Sequence, residues 1–157
     1  MKWNDGIIGD CAVAPLRRFA DDRGWLSELF RTDEAPDGHE PAMAYISETM
    51  PGVARGPHAH ADQTDLFAFF DGRFRVYLWD DRPDSVSKGV RQVLDAGRES
   101  PMTVRVPPGV VHAYRCLSDT PSLILNMPDR LFAGPGRAEP IDEIRHEDDP
   151  DSPYRLD

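Results

Sequence analysis

The chain has few cysteines, no long apolar run and no excess of positive charge, and each absence excludes a class of protein. Only two cysteines, Cys11 and Cys116, occur in 157 residues. They are too few for a disulfide framework, so we expect both to be reduced and buried. No apolar run approaches the roughly 18 residues of a membrane-spanning helix, and Met1–Asp5 lacks the basic patch and apolar stretch of a secretory signal. We therefore expect a cytoplasmic protein with no membrane partner.

Positive charge is also in short supply. The chain has 18 lysines and arginines against 28 aspartates and glutamates, a net charge of −10. A surface of this sign is repelled by a phosphate backbone, so we expect no nucleic-acid partner. Many of the acids lie in residues 139–157. The stretch from Glu147 to Tyr154 is too polar and proline-rich for a core, so we expect it on the surface or against a neighbouring subunit.

The remaining composition is that of one soluble domain built from strands. Hydrophobic residues make up 39% of the chain and charged residues 29%, and the length suits a single domain over residues 1–157 with an acidic irregular tail from about residue 133. The 15 prolines and 12 glycines are spread along the sequence, which favours an all-β sandwich or barrel of the jelly-roll type. We predict nine strands: Ile7–Val13, Trp25–Arg31, Ala42–Thr49, Leu66–Phe70, Arg73–Trp79, Val90–Leu94, Met102–Val106, Val111–Leu117 and Ser122–Met127.

Two local signals refine this prediction. Asp71-Gly72 lies between two predicted strands and is typical of a tight β-hairpin turn. The residues around Ile141–Ile144 suit a short helix.

The strongest functional signal is a spaced set of histidines. His58 and His60 are separated by one residue, so on an extended segment both point to the same side. Asp65 follows, and a Pro-x-Gly-x2-His motif ends at His112. A later strand can bring His112 to the pair inside a small barrel. The full spacing of the first motif is Gly52-x5-His58-x-His60-x4-Asp65-x6-Gly72.

This constellation has two chemical interpretations, which the residues alone leave open. Three imidazoles and one carboxylate suit Fe(II), Mn(II), Ni(II) or Zn(II), with His58, His60, Asp65 and His112 as ligands. A neutral imidazole with a pKa near 7 is also a suitable base for proton transfer.

Three stretches resemble motifs of the dTDP-4-dehydrorhamnose 3,5-epimerase family, a group of nucleotide-sugar cupins. Residues 19–31 resemble its D-x-R-G-x-x-x-E-x-F motif, residues 51–58 its G-V-x-R-G-x-H motif, and residues 106–114 its P-x-G-x-x-H-x-F motif. The resemblance spans about residues 15–130 in the right order. It implies a cupin double-stranded β-helix, and a homodimer whose subunits exchange an N-terminal strand, so that residues 23–31 serve the partner's site.

The resemblance also implies roles for matching residues. Family members abstract a proton next to the 4-keto group of a dTDP-linked hexose, and His58 stands at the position of the base. Arg23 and Arg55 stand where the family holds the diphosphate, and a guanidinium pairs well with phosphate oxygens. Glu28 and Tyr114 match the glutamate and the aromatic position of their motifs and complete the predicted substrate-binding set. The alternative for Arg23 is an ion pair with Glu28 or a nearby aspartate.

The chain also departs from the family. Asp65 stands where the family has an oxyanion-stabilising lysine, and a carboxylate there favours a cation instead. The strand Leu123–Asn126 lacks the family's proton-donating tyrosine, which Tyr45, Tyr77 or Tyr114 could replace. Residues 139–157 show no counterpart of the aspartate that partners the base.

Three hypotheses follow. The first is a nucleotide-sugar epimerase or isomerase that needs no cofactor, with His58 as base and His60 or His112 assisting. The His-Ala-His pattern also resembles the sister dTDP-sugar 3,4-ketoisomerases. The second is a cupin that uses Fe, Mn, Ni or Zn at the four-residue site to act on a small sugar or acid. The third is a sugar-binding cupin without activity.

Overall fold

The fold consists of short strands joined by turns. The computed structural model describes residues 2–35 and 38–157, and within them it contains thirteen strands and a 3-10 turn at Pro135–Arg137. No helix of these residues is long and apolar enough to cross a membrane. The strands are β1 Asn4–Asp5, β2 Val13–Pro15, β3 Phe19–Asp21, β4 Gly24–Leu26, β5 Tyr45–Thr49, β6 Ala54–Ala59, β7 Asp65–Phe69, β8 Arg73–Asp80, β9 Val90–Gly97, β10 Met102–Val106, β11 Val110–Cys116, β12 Ser122–Asn126 and β13 Ile144–Arg145.

The strands form two main sheets and one separate hairpin. The first sheet has the order β1-β9-β8-β11-β6-β13, the second the order β2-β10-β7-β12-β5, and β3 pairs only with β4. Every pairing is antiparallel except β1 with β9. From β5 to β13 the strands alternate between the two main sheets, apart from the β8–β9 hairpin, as in a jelly roll, which confirms the predicted all-β cupin architecture.

The main core lies between the two sheets. Strand β8 shows how the sequence builds it, because alternate residues Phe74, Val76 and Leu78 point inward. They meet Phe67 and Phe69 from β7 of the facing sheet. Both cysteines are buried and unpaired, as predicted. Each large apolar side chain buried here contributes about 1.5–3 kcal/mol to the free energy of unfolding.

A second core covers the outer face of the first sheet. Tyr77 and Trp79 point outward from β8 and stack with ring centroids 5.8 Å apart. Tyr154 from the C-terminal segment packs edge-on against Trp79 and also contacts Trp3.

Tyr154 is only 8% exposed and Ser152 only 3%. The expectation that the stretch from Glu147 to Tyr154 stays on the surface holds for residues 147–151, which are exposed, and is wrong for Ser152 and Tyr154. The aromatic ring of Tyr154 joins the second core although its sequence neighbours are polar.

Three local predictions are also wrong. Asp71-Gly72 is a turn but makes no hairpin, since β7 and β8 belong to different sheets. A Cβ on Gly72 would come within 2.0 Å of Ser122 Oγ, which explains the glycine. Ile141–Ile144 is not a helix, because Ile144 begins β13 and pairs with β6. Neither Ile7–Val13 nor Trp25–Arg31 is a continuous strand; only their ends contribute to β2 and β4.

A buried carboxylate at the end of β8 gives the first testable prediction. Asp80 is fully buried and accepts hydrogen bonds from Arg82, Ser85 and Ser87 at 2.5–2.9 Å. Burial alone would raise the pKa of Asp80, but these hydrogen bonds outweigh it and hold the pKa well below its usual range. As the pH falls, Asp80 therefore takes up a proton near pH 4 in the unfolded chain but only at lower pH in the folded chain. The contribution of Asp80 to the free energy of unfolding is fully present above about pH 4 and is lost as the pH falls further.

The Asp80→Asn variant should lose about 2 kcal/mol of unfolding free energy at pH 7 and should show a flatter decline in acid. Urea unfolding at pH 7 and at pH 3 measures both. Asp95→Asn is the control, because Asp95 pairs with Arg75 on the exposed surface and should change stability by less than about 1 kcal/mol. Equal acid slopes for wild type and Asp80→Asn would contradict the prediction.

Candidate active site

Two adjacent strands of the first sheet bring the histidines together. His58 on β6 pairs directly with His112 on β11, and their ring centroids lie 4.4 Å apart. His60 follows the end of β6, with its centroid 5.6 Å from His58 and 5.7 Å from His112. The alternation of side chains on the extended segment puts both histidines of the pair on the inner side, as expected from their spacing.

A glycine lets these strands approach. Gly56 has a φ of 79°, and a Cβ there would come within 2.5 Å of the His112 carbonyl oxygen. The register between β6 and β11 shifts just beyond this point, between His112 and Tyr114. Any larger residue at position 56 would push β6 away and separate His58 from His112.

Asp65 reaches the histidines from the facing sheet. It is the first residue of β7 and is only 1% exposed. Its Oδ2 lies 3.1 Å from Nε2 of His60 and 3.2 Å from Nε2 of His112, while Oδ1 accepts hydrogen bonds from the side-chain amides of Gln63 and Asn126 at 2.9 and 2.8 Å. Burial alone would raise the pKa of Asp65, but the close approach of His112 and His60 outweighs it and keeps the carboxyl ionised.

Backbone carbonyls fix the rings of His60 and His112 on the side that points away from Asp65. Nδ1 of His60 donates to the Asp142 carbonyl, and Nδ1 of His112 donates to the Val110 carbonyl at 3.2 Å. Burial alone would lower the pKa of His60, but Asp65 and the Asp142 carbonyl outweigh it and raise the pKa. These contacts hold both rings in one orientation, with Nε2 towards Asp65.

His58 differs from the other two. Like His60, it lines the open pocket, but burial together with the neighbouring His112 and His60 lowers its pKa to about 2. Its imidazole is therefore neutral at physiological pH, with a lone pair available for a proton.

The C-terminal segment supports the site, which the sequence did not predict. The carboxylate of Asp142 accepts hydrogen bonds from the backbone N–H groups of Ala61, Asp62 and Gln63 at 2.7–2.9 Å. Strand β13 pairs with β6 next to His58. Residues 139–157 therefore contribute directly to the structure of the site. No sequence motif indicates this role, because the partners of Asp142 are backbone N–H groups, which every sequence has.

Removing this support should loosen the loop that carries His60. The Asp142→Ala variant should lower the free energy of unfolding by about 1–3 kcal/mol, because three N–H groups lose a charged acceptor. Amide hydrogen exchange at residues 61–63 should become faster. Asp148→Ala on the exposed part of the same segment is the control and should change neither quantity. Unchanged amide hydrogen exchange at residues 61–63 in Asp142→Ala would contradict this prediction.

His58 and His60 line a large open pocket. Its volume is about 1370 Å³, and Tyr45 and Tyr114 also line it. Tyr45 O–H accepts a hydrogen bond from Asn126 at 2.9 Å, and burial raises its pKa to about 12. Tyr77, the third predicted acid, lies outside the pocket and donates to the Asp157 carbonyl. The arginines that line the pocket are Arg55, Arg130, Arg137 and Arg145.

Two predicted substrate-binding residues lie outside this pocket in the same chain. The Arg23 side chain is 90% exposed and pairs with Asp21, one of the partners that the sequence allowed. Glu28 pairs with Arg31 and lines a separate cavity of about 380 Å³. Arg55 does line the main pocket, where Thr49 and the Glu48 carbonyl hold its guanidinium.

A jelly roll with histidines between its sheets defines a cupin. Comparison with protein families is more specific: the model of the dTDP-4-dehydrorhamnose 3,5-epimerase family matches residues 6–135, so the chain belongs to that family. The resemblance predicted from the three motifs is confirmed.

Two curated relatives are similar over most of their length. The probable low-salt glycan biosynthesis epimerase Agl13 of Haloferax volcanii is 37% identical over 80% of this chain and 81% of its own. The spore coat polysaccharide biosynthesis protein SpsL of Bacillus subtilis is 40% identical over 76% and 78%. The chain is thus an epimerase-type enzyme of sugar biosynthesis.

Solved structures agree on the fold. A dTDP sugar isomerase from Desulfovibrio desulfuricans G20 superposes with a TM-score of 0.80 at 27% identity, covering 94% of this chain and 91% of its own. NovW, a 4-keto-6-deoxy sugar epimerase from Streptomyces spheroides, superposes with a TM-score of 0.77 at 21% identity, covering 94% and 76%. The second likeness supports the fold alone.

Proposed function

We propose that this enzyme inverts a carbon next to the ketone of a dTDP-linked 4-keto sugar, with His58 as the base. The observation that carries the proposal is the contrast among the three histidines. His58 and His60 both line the pocket, but His60 and His112 are held by Asp65 and by carbonyls, whereas the imidazole of His58 is neutral. A C–H next to a ketone is acidified because the carbanion is stabilised as an enolate, so a neutral imidazole can remove its proton.

The low pKa of His58 in the free enzyme fits this role once substrate is bound. Burial and the two neighbouring imidazoles disfavour the imidazolium. An enolate that forms beside the ring favours the imidazolium instead, so the pKa of His58 rises as the proton moves. The pH profile of kcat/KM should therefore show no loss of activity from His58 protonation between pH 8 and pH 5.

Tyr45 is the proposed acid that returns a proton to the opposite face. It reaches the pocket with 42% of its surface exposed, and its raised pKa keeps the phenol protonated at neutral pH. Tyr114 is only 4% exposed, and its hydroxyl lies 3.3 Å from Ser47 Oγ. The exposed guanidinium of Arg55 lies at the same pocket, where it can pair with the diphosphate. Proton removal and return leave the oxidation state unchanged, so the reaction itself requires no redox cofactor.

The separate hairpin β3–β4 supports a homodimer. Phe19, Trp25 and Leu26 on this hairpin are 43–61% exposed although all are large and apolar. We propose that the hairpin packs on a second copy and carries Arg23 and Glu28 towards the partner's pocket. Light scattering should give twice the mass of one chain, and Leu26→Asp should reduce it to the mass of one chain.

Deuterium exchange tests the reaction. In D2O, the enzyme should introduce deuterium at the carbon next to the ketone of a dTDP-4-keto-6-deoxyhexose, detected by mass spectrometry and NMR. Absence of exchange with such sugars would remove the proposal.

Tyr45→Phe should separate exchange from inversion. Without the acid, His58 still removes the proton and returns deuterium to the same face, so exchange persists while inversion falls by about 10²–10⁴-fold. Tyr114→Phe is the matched control and should retain inversion within about tenfold. If Tyr114→Phe loses more inversion than Tyr45→Phe, the assignment of the acid is wrong.

A further inference from the structure

Asn126 joins the proposed acid, Tyr45, to the buried carboxylate of Asp65. It ends β12, the strand that lies between β5 and β7, and it is fully buried. It is paired in register with Tyr45 on β5. Its side-chain nitrogen lies 2.9 Å from the Tyr45 hydroxyl and 2.8 Å from Oδ1 of Asp65 on β7. A single side-chain amide therefore connects three neighbouring strands of the second sheet.

The partners of Asn126 fix which end of its amide faces the tyrosine. Its Oδ1 accepts a hydrogen bond from the backbone N–H of Leu66 at 3.2 Å, and a backbone N–H can only donate. The other end must therefore be the NH2 group. This assignment also suits Asp65, which is ionised and can only accept. The two amide protons then go to Oδ1 of Asp65 and to the phenol oxygen of Tyr45.

A phenol that accepts from Asn126 directs its own proton elsewhere. Tyrosine has one O–H donor, and the Asn126 amide occupies an acceptor site on the same oxygen. Tyr45 lines the pocket with 42% of its surface exposed. The amide on the buried side of the oxygen therefore leaves the O–H to point towards the pocket.

We propose that Asn126 is a positioning residue for the second half of the inversion, which turns the Tyr45 O–H towards the sugar and stabilises the phenolate left after proton donation. This inference rests on the proposed function, in which Tyr45 is the acid. In that step the O–H bond of Tyr45 breaks, a C–H bond forms at the enolate carbon, and the negative charge passes from the enolate to the phenol oxygen. A hydrogen bond strengthens when its acceptor becomes charged, so the Asn126 N–H favours the products of this step.

The inference also gives Asp65 a use at the acid. Burial raises the pKa of Tyr45 to about 12 although the hydrogen bond from Asn126 opposes it. A weaker acid transfers its proton to carbon more slowly, so loss of the amide should slow this step. Asp65 accepts the second N–H of Asn126 and thereby holds the amide in the orientation that Tyr45 needs.

Asn126→Leu tests the role, because leucine has a similar size and no hydrogen-bond donor. Deuterium exchange into the ketosugar should persist within about tenfold, since His58 is unchanged, while inversion at saturating substrate should fall by about 10–100-fold. Gln63→Leu is the matched control, because Gln63 is the other side chain whose amide donates to Oδ1 of Asp65. It should affect exchange and inversion alike and leave their ratio unchanged.

A double-mutant cycle separates positioning from general support of the fold. In the Tyr45→Phe background, Asn126→Leu should cause no further loss of inversion, because no phenol remains to be oriented. A further loss of about tenfold or more would overturn the inference. Wild-type protein without deuterium exchange would remove the proposed function and this inference with it. Wild-type exchange together with an unchanged ratio of inversion to exchange in Asn126→Leu would remove this inference alone.

NMR provides a test that does not require Asn126→Leu to fold. Asn4 and Asn126 are the only asparagines in the sequence, so ¹⁵N-labelled asparagine gives two side-chain NH2 groups. In Tyr45→Phe, one N–H resonance of Asn126 should move upfield and exchange faster with water, and the other, bonded to Asp65, should stay in place. Identical Asn126 resonances in wild type and Tyr45→Phe would overturn the inference.

Discussion

Replacing His58 with asparagine should lower the rate of deuterium exchange into the ketosugar by about 10²–10⁴-fold. Asparagine keeps the polarity and approximate size of the side chain but has no lone pair basic enough to remove a carbon-bound proton. His60 and His112 cannot replace it, since their Nε2 atoms face the buried Asp65. Exchange measured at saturating substrate separates this loss from any loss of binding.

Two controls belong with this variant. His146→Asn should exchange at the wild-type rate, since His146 packs on Tyr154 away from the pocket. The melting temperature of His58→Asn should stay close to that of wild type, because the pocket already exposes part of the ring. Wild-type exchange in His58→Asn would assign the base to another residue.

Replacing Trp79 with alanine should have the largest effect on stability, about 3–5 kcal/mol of unfolding free energy. Its ring is fully buried on the outer face of the first sheet, stacked on Tyr77 and against Tyr154. The cavity cannot collapse easily, because β8 is held between β9 and β11. Urea unfolding followed by circular dichroism measures the change.

Trp25→Ala is the matched control for this substitution. Trp25 is 49% exposed on the separate hairpin and stacks with Arg18. Measured in the Leu26→Asp background, where the proposed dimer contact is absent, its loss should cost about 1 kcal/mol or less. A comparable loss in both variants would show that the second core contributes no more than an exposed aromatic residue does.

The strands that the sequence predicts well are those with regular burial. Strands β7–β12 contain apolar runs or alternation bounded by turn residues, and six of the predicted segments match them closely. By contrast, β1 and β13 are two residues long and pair through contacts distant in sequence. Local composition carries no signal for such strands, because the partner strand stabilises them.

The positions of the three histidines could be predicted from strand geometry, whereas their hydrogen bonds could not. Side-chain alternation places His58 and His60 on one side, and a strand pairing adds His112. Which nitrogen of each ring faces Asp65 depends on the carbonyls of Asp142 and Val110, which spacing cannot reveal. The roles of these residues in catalysis or metal binding stay predictions.

Asp142, whose carbonyl accepts the hydrogen bond from His60, comes late in the chain. Asp142 lies 82 residues beyond His60, and the aromatic residue that fastens the same segment to the outer face, Tyr154, comes later still. A nascent chain that has emerged as far as β12 contains the strands of both sheets except β13. It does not yet contain Asp142, whose carboxylate binds the backbone N–H groups of residues 61–63. During synthesis the barrel can therefore assemble before the site does. Partly made chains would hold the histidines loosely, and the site would become competent only as residues 142–154 dock.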